Sequence, residues 1–369
     1  MKPHIVFTVI NDLHYDQRME RICTSLSLAG YRVTLIGRLL ETHKPLPQRP
    51  YTQLRFKMPV NKGKLFYLLY NLRLLWHLLL HRYDIYGATD LDTLAPHFIA
   101  ATLKSKPFVY DAHEYFAELP EVVNRPMVKW IWKKVEQLIV PRTRFAYTIN
   151  QSYADLFERQ YKTRFAIIRN AALLRNEIIP NIKPEKYILY QGAVNVGRGV
   201  EQMIEAMQFI NDCKLYICGK GDVYDKCTHL VQQLGLESKV TFWGYVPPDE
   251  LRSITLMATM GFTFFTNEGQ SYYYSLANRF FDYFHAGVPQ LCVNFPEYAR
   301  INQQFEIALL VNDLQPQTIA AAANRLLTDA PYYNHLRQNC LAARQVINWQ
   351  NEEKKLLAFY QNVVTETLT

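Results

Sequence analysis

Residues 186–221, KYILYQGAVNVGRGVEQMIEAMQFINDCKLYICGKG, decide the fold class. KYILYQGAV is a short apolar run of strand-forming residues. The glycine-flanked arginine after it opens an amphipathic helix, and KLYICGKG is a second strand-like run ending in glycine. Strand, helix-length segment and strand form the unit of a parallel sheet, since parallel neighbours need a crossover of about a dozen residues or more. The rhythm continues towards the C-terminus with KVTFWGYV (239–246), MGFTFFT (260–266), PQLCVN (289–294) and IALLVN (307–312). Towards the N-terminus it runs through RFAIIRN (164–170), RFAYTIN (144–150), PFVYDAH (107–113), YDIYGAT (83–89), YRVTLIG (31–37) and HIVFTVI (4–10). Helices are expected to about Leu28, around 64–82, near 91–104 and near 126–140. The polar stretch NAALLRNEIIPNIKPEK (170–186), broken by two prolines, separates the two series. The expectation is an α/β chain of two doubly wound, Rossmann-like parallel-sheet domains facing a central cleft. The first spans 1–172 and the second 185–348, with a helix at 350–369 packing back on the first.

Bulk properties narrow the function. A chain of 369 residues fits two cores, and a hydrophobic fraction of 49% excludes wholesale disorder. The opening MKPHIVFTVINDLHYDQR reads as a strand and a polar loop, so no signal peptide is expected. No apolar run reaches the ~18 residues of a spanning helix. The six cysteines show no metal-binding spacing and read as buried thiols of a reducing, cytoplasmic compartment. Residues 1–185 hold 27 Lys and Arg against 16 Asp and Glu, the remainder 14 against 17, so the whole excess of +8 lies in the first half. That asymmetry calls for an anionic partner such as membrane phospholipid, a phosphorylated acceptor or nucleic acid; simple solubilisation is the alternative.

Ligands of open parallel sheets bind beyond the carboxyl ends of the strands. In the second half those ends carry Gly192 with Gly197-Arg198-Gly199, then Gly219-Lys220-Gly221, then FTNEGQSYYYSLANRFFDYFHAGVPQ. Glycine admits close backbone approach, helix N-termini present unpaired N–H groups to phosphate, and Arg198 brings the positive charge that a diphosphate leaving group needs.

With YDAHEYFAELPEV and NDLHYDQRMERICTSLSLAGYRVTLIGR in the first half, these segments resemble glycosyltransferase family four, the retaining enzymes of GT-B fold. SLANRFFDYFHAGVP is similar to the family pattern SLPNK-x-FEY-x-x-x-G-x-P. The resemblance implies that Asp282 holds the ribose hydroxyls, with Asn278 and Arg279 beside it in the donor site. It implies that N–H groups around Ser275, Leu276 and Ala277 cradle the diphosphate, and that Tyr245 and Val246 face the base through backbone atoms. Arg198 takes the place of the family's basic residue at the helix start, and His113 that of a histidine facing the donor sugar. The sequence also departs from the family. Tyr274 stands where many members have a sugar-holding Glu, Ala193 follows Gly192 in place of a cation, Asp replaces Glu at 282, and Arg279 replaces Lys. Lys220 or Arg279 could supply the lost cation.

Other features have competing readings. Asp90-Leu91-Asp92 spells the metal-nucleotide signature of a different glycosyltransferase fold, but after a strand and before a helix it reads as capping. No metal or other cofactor is expected. Asp12, Asp16 and Arg18 follow the first strand, where an acceptor loop belongs; a helix cap and a surface ion pair fit them equally. Asp111 reads as tying down its loop. Residues 62–83 are apolar enough to meet a membrane, though a buried crossover helix fits them better. Residues 128–144, with Trp130 and Trp132 among five Lys and Arg, have the composition of an interfacial helix. The reading is a metal-independent transfer of sugar from a nucleotide diphosphate sugar to a saccharide or lipid-linked acceptor on an anionic membrane surface. A nucleotide-sugar-binding scaffold with weakened catalysis is the rival. A nucleic-acid partner is not expected, for want of a recognition helix or an aromatic-lined strand face.

Overall fold

The computed structural model describes residues 2–14, 16–40, 45–180 and 185–368. The chain forms two compact units, residues 1–170 with 351–369 and residues 171–350. Of the expected connecting stretch, residues 181–184 lie outside the described residues.

The first unit contains β1 (His4–Thr8), α1 (Gln17–Leu28), β2 (Arg32–Leu39), β3 (Thr52–Lys57), α2 (Gly63–Leu80), β4 (Ile85–Thr89) and α3 (Leu94–Leu103). It continues with β5 (Phe108–Ala112), α4 (Pro120–Val123), α5 (Pro126–Ile139), β6 (Phe145–Thr148), α6 (Gln151–Tyr161) and β7 (Ala166–Ile167). Its strands pair in the order β3-β2-β1-β4-β5-β6-β7, all parallel. Buried on both faces, they read as near-continuous apolar runs, which is why the sequence discloses them. The exception is β3, whose TQLRFK is an edge strand with polar residues and gives no such signal.

Right-handed crossovers place α2, α3 and α5 on one face of this sheet, because β3 to β4, β4 to β5 and β5 to β6 all step in the same direction. The opposite step, β1 to β2, carries α1 to the other face. The crossover helix α2 is not buried all round, contrary to the expectation for 62–83. Phe66, Tyr70, Leu74 and Leu78 pack on the sheet at a spacing of four, while Leu65, Leu68, Leu72, Trp76 and Leu80 are each more than half exposed. A helix one layer out from a sheet has a covered side and an open side, and α2 is apolar on both.

The second unit contains β8 (Tyr187–Gln191), α7 (Val200–Ala206), β9 (Lys214–Cys218), α8 (Tyr224–Gln233), β10 (Val240–Gly244), α9 (Pro248–Met257), β11 (Met260–Thr263) and α10 (Gln270–Tyr273). Then come α11 (Asn278–His285), β12 (Gln290–Val293), α12 (Pro296–Phe305), β13 (Ala308–Val311), α13 (Pro316–Thr328) and α14 (Ala330–Val346). The six parallel strands are ordered β10-β9-β8-β11-β12-β13. The last helix, α15 (Trp349–Thr367), belongs to the first unit from residue 351 onward. Its fully buried Tyr360 meets Phe7, Tyr31 and Tyr147 edge-on at 6.0, 6.5 and 6.3 Å between ring centroids. All six cysteines are buried and unbridged.

Candidate functional site

In the second unit, β10, β9, β8 and β11 are neighbours, so the loops at their carboxyl ends form one rim. The first two loops interlock. Gly192 N–H donates to the Cys218 carbonyl at 3.0 Å, and Val194 N–H to the Lys220 carbonyl at 3.1 Å. Gly219 sits at φ +156°, and a Cβ there would fall 1.8 Å from the Gly192 carbonyl oxygen. At Gly221 a Cβ would lie 2.3 Å from the Val194 carbonyl oxygen. These two glycines therefore serve the approach of one loop to the other. Gly192 (φ +126°) is different: the nearest atom to its missing Cβ is Arg279 Nη1, at 3.6 Å.

Two guanidinium groups converge on one ring here. Arg279 is buried, 4.9 Å from the ring centroids of both Tyr190 and Phe265, and its Nη2 donates to the Phe264 carbonyl at 3.2 Å. Its Nε is buried without a partner, and among the described residues no carboxylate pairs with it. Arg198, in the loop before α7, lies 5.2 Å from the Phe265 ring and 5.4 Å from Tyr272. Three residues along α11 from Arg279, Asp282 accepts from Gln191 Nε2 at 2.8 Å, and Gln191 in turn accepts from Thr255 Oγ1 at 2.8 Å. Burying a cation without a counter-charge is costly, so Arg279 leaves this rim with an uncompensated positive charge among the described residues.

The other residues expected on the donor side lie in the same unit. Ser275 N–H donates to the Tyr272 carbonyl at 3.2 Å and Ala277 N–H to Tyr298 Oη at 3.1 Å, and the Leu276 side chain is buried. Tyr274 ends α10, with its ring 4.8 Å from that of Tyr273. After β10, Tyr245 is exposed and Val246 buried, and exposed Lys220 leans towards Gly244. Asn278 is the exposed first residue of α11.

In the first unit, the carboxyl ends of β4 and β5 hold a buried charge cluster. Arg18 donates to Asp111 Oδ1 at 2.8 Å and to the Ile168 carbonyl at 3.1 Å. Its ion pair is thus buried, where the sequence reading allowed a surface one. Asp111 Oδ2 meets His113 Nε2 at 2.8 Å, and Asp90 Oδ2 lies 3.5 Å from His113 Nδ1. Burial alone would discourage charge on His113, but Asp111 outweighs it, aided by Asp90, and the imidazole pKa is raised. For Asp111 the Arg18 guanidinium overcomes burial and holds the carboxyl below its ordinary range.

The capping reading of Asp90 is corrected. Its side chain makes no cap bond to the short 3-10 turn at 91–93; it accepts from the His113 and Glu114 N–H groups at 2.7 and 3.3 Å. Asp90 also stands at φ +56°, which few residues other than glycine adopt. Asp92 is buried, and burial pushes its carboxyl pKa well up. Asp16 caps α1 through Met19 N–H at 3.0 Å. Asp12 is buried too; burial raises its pKa, but hydrogen bonds from His14 prevail and lower it. The sequence reading missed Phe265 and Gln191, because an aromatic and an amide at strand ends carry no spacing signal.

Residues 175–342 match the family model of glycosyl transferases group 1. An uncharacterized glycosyltransferase of Methanocaldococcus jannaschii is 26% identical over 181 residues, covering 48% of this chain and 45% of that protein, so the match spans less than half of the relative's length. Sucrose-phosphate synthase from Thermosynechococcus elongatus is similar in structure at a TM-score of 0.82 and 16% identity, over 99% of this chain and 100% of that one. Anabaena HepE in complex with UDP-glucose is similar at a TM-score of 0.75 and 15% identity, over 98% and 100%. The chain thus has the two-sheet α/β fold of GT-B glycosyltransferases, and its residues 175–342 are similar to the group 1 glycosyl transferases.

Proposed function

We propose that this chain transfers a sugar, with retention, from a nucleotide diphosphate sugar to a saccharide or lipid-linked acceptor of surface polysaccharide assembly. The observation that carries the reading is the convergence of Arg198 and Arg279 on Phe265 beside Gly192. Departure of a nucleoside diphosphate leaves two phosphates' worth of charge, and fixed guanidinium groups in a partly dry rim stabilise it more than water does. Arg279 then fills the place left by Ala193, and Asp282, held by Gln191, takes the ribose hydroxyls. The first unit contributes His113, whose imidazole Asp111 and Asp90 bias towards its protonated form, and Asp12 on the acceptor side. The reaction needs no metal in this reading. It takes place in the cytoplasm at the inner face of the plasma membrane, with the basic first half towards anionic lipid.

The test is thermal shift against a panel of nucleoside diphosphates and their sugars. A ligand that binds only the native state raises the midpoint. A shift selective for one nucleotide and lost in Arg198→Ala and Asp282→Ala supports the reading, and no shift with any nucleotide defeats it. The second reading, a nucleotide-sugar-binding scaffold, is favoured by Tyr274 in the place of a sugar-holding Glu. It predicts nucleotide binding without slow donor hydrolysis.

A further inference from the structure

The open side of α2 continues across its neighbours. Leu65, Leu68, Leu72, Trp76 and Leu80 run the length of α2 at spacings of three and four. On α3, which packs against α2, Ile99 and Leu103 are exposed, the latter at 69%. On α5, Met127, Trp130 and Leu138 are each at least 60% exposed. α5 meets α2 through Trp132 on Tyr67, 5.8 Å between ring centroids, and meets α3 directly. Three adjacent helices on one face of one sheet therefore present apolar side chains to solvent. Single exposed leucines need no explanation, but a contiguous patch across three helices marks an interaction surface.

Charge identifies what it meets. Segments 63–80 and 94–103 contain no Asp or Glu, and the acid of segment 126–139, Glu136, is buried and paired with Lys133 at 2.9 Å. Lys62, Lys64, Arg82, Arg125, Lys134 and Arg142 are exposed on these helices or at their ends. Beside the C-terminal ends of α3 and α5 lies a recess of about 330 Å³ lined by Lys106, Arg142 and Arg144 with Phe98, Phe108 and Phe145; Lys106 pairs with Asp84 at 3.7 Å and Arg144 with Glu366, which leaves Arg142 as its cation without a carboxylate among the described residues. A second copy of the chain seated symmetrically here would bring these cations against their own copies. A surface of anionic headgroups over acyl chains satisfies both the apolar and the cationic groups at once. No helix among the described residues is long and apolar enough to cross a membrane.

We propose that the α2–α3–α5 face of the first unit docks on an anionic phospholipid leaflet, with the helices lying in the membrane plane and the exposed cations at their ends towards the headgroups. The proposal deepens, and rests on, the reading of a membrane-side acceptor, and it adds α2 and α3 to the helix that composition favoured.

The experiment is co-sedimentation of the full chain with phosphatidylcholine vesicles and with mixed phosphatidylcholine–phosphatidylglycerol vesicles. Binding to the mixed vesicles alone is expected. Leu68→Gln/Leu72→Gln/Trp76→Gln lowers it at least about tenfold through lost apolar insertion. Lys134→Gln and Arg142→Gln each lower it about fivefold. All these side chains are exposed, and an unchanged circular dichroism spectrum and melting midpoint confirm that the variants fold. Equal binding to both vesicle types, or none to either, overturns the proposal. So does a dimer in sedimentation velocity that the α2 variant dissociates, which assigns the face to a second copy. The nucleotide-induced thermal shift, run alongside, separates the two readings: vesicle binding without a shift defeats the transferase alone, and a shift without vesicle binding defeats the docking face alone.

Discussion

Arg279 shows how one residue can be legible in type and illegible in role. Its position beside Asp282 in the SLANRFFD run was readable from sequence. Its burial between Tyr190 and Phe265 was not, because those rings come from β8 and from the loop after β11. If it faces a diphosphate, Arg279→Gln weakens nucleoside diphosphate binding about 10- to 100-fold, the range for a charge-assisted hydrogen bond, measured by calorimetric titration. Its apo melting midpoint changes far less than its affinity, because the replaced cation had no carboxylate partner to lose. His113 makes a prediction about pH. Its folded pKa is raised above the unfolded 6.5, so the stability it contributes is full below pH 6.5 and is lost as pH rises through the folded value. Melting midpoints across pH 6 to 9 should therefore fall less steeply in His113→Asn than in the wild type.

At the scale of elements, the two glycine loops of the second unit test the difference between a phosphate loop and a packing loop. Both readings use glycine, but only packing makes Gly219 intolerant of a methyl group in the absence of ligand. A Cβ 1.8 Å from the Gly192 carbonyl oxygen at φ +156° forces the loops apart. Gly219→Ala is expected to cost about 2–4 kcal/mol in denaturant unfolding, combining overpacking with backbone strain. Gly235, at φ +65° with open space around its missing Cβ, is the control and should cost about 1 kcal/mol for conformation alone. The strands and helices themselves were largely readable, since each buried parallel strand announces itself as a short apolar run. The two-residue β7 and the polar edge strand β3 carry the weakest signals, because an edge strand faces solvent along one side.

At the scale of the whole molecule, the C-terminal helix is a structural part of the first unit. Tyr360 is fully buried against three aromatic rings, so Tyr360→Ala should cost about 3–5 kcal/mol, as large core truncations do, in chemical denaturation. Acid stability belongs to this scale too. Burial holds His97 at about 3, and His77 and His285 at about 4, all below the unfolded 6.5. Groups lowered in this way contribute stability above pH 6.5 that is lost as pH falls towards 4. A progressive fall in midpoint from pH 6.5 to 4, reduced in His97→Gln, checks it.

The sequence by itself determined the parallel α/β class, the two sheets and the glycine loops at the strand ends of the second unit, because these follow from local apolar periodicity and from glycine at strand ends. Only the tertiary structure decided which groups face each other. Asp90 turned from a helix cap into a partner of His113, Arg18 from a candidate acceptor contact or surface ion pair into the buried counter-charge of Asp111, and α2 from a buried crossover into an open apolar face. The physical reason is common to all three: periodicity records that a side chain is apolar or charged, whereas burial and pairing depend on elements brought together from distant parts of the chain.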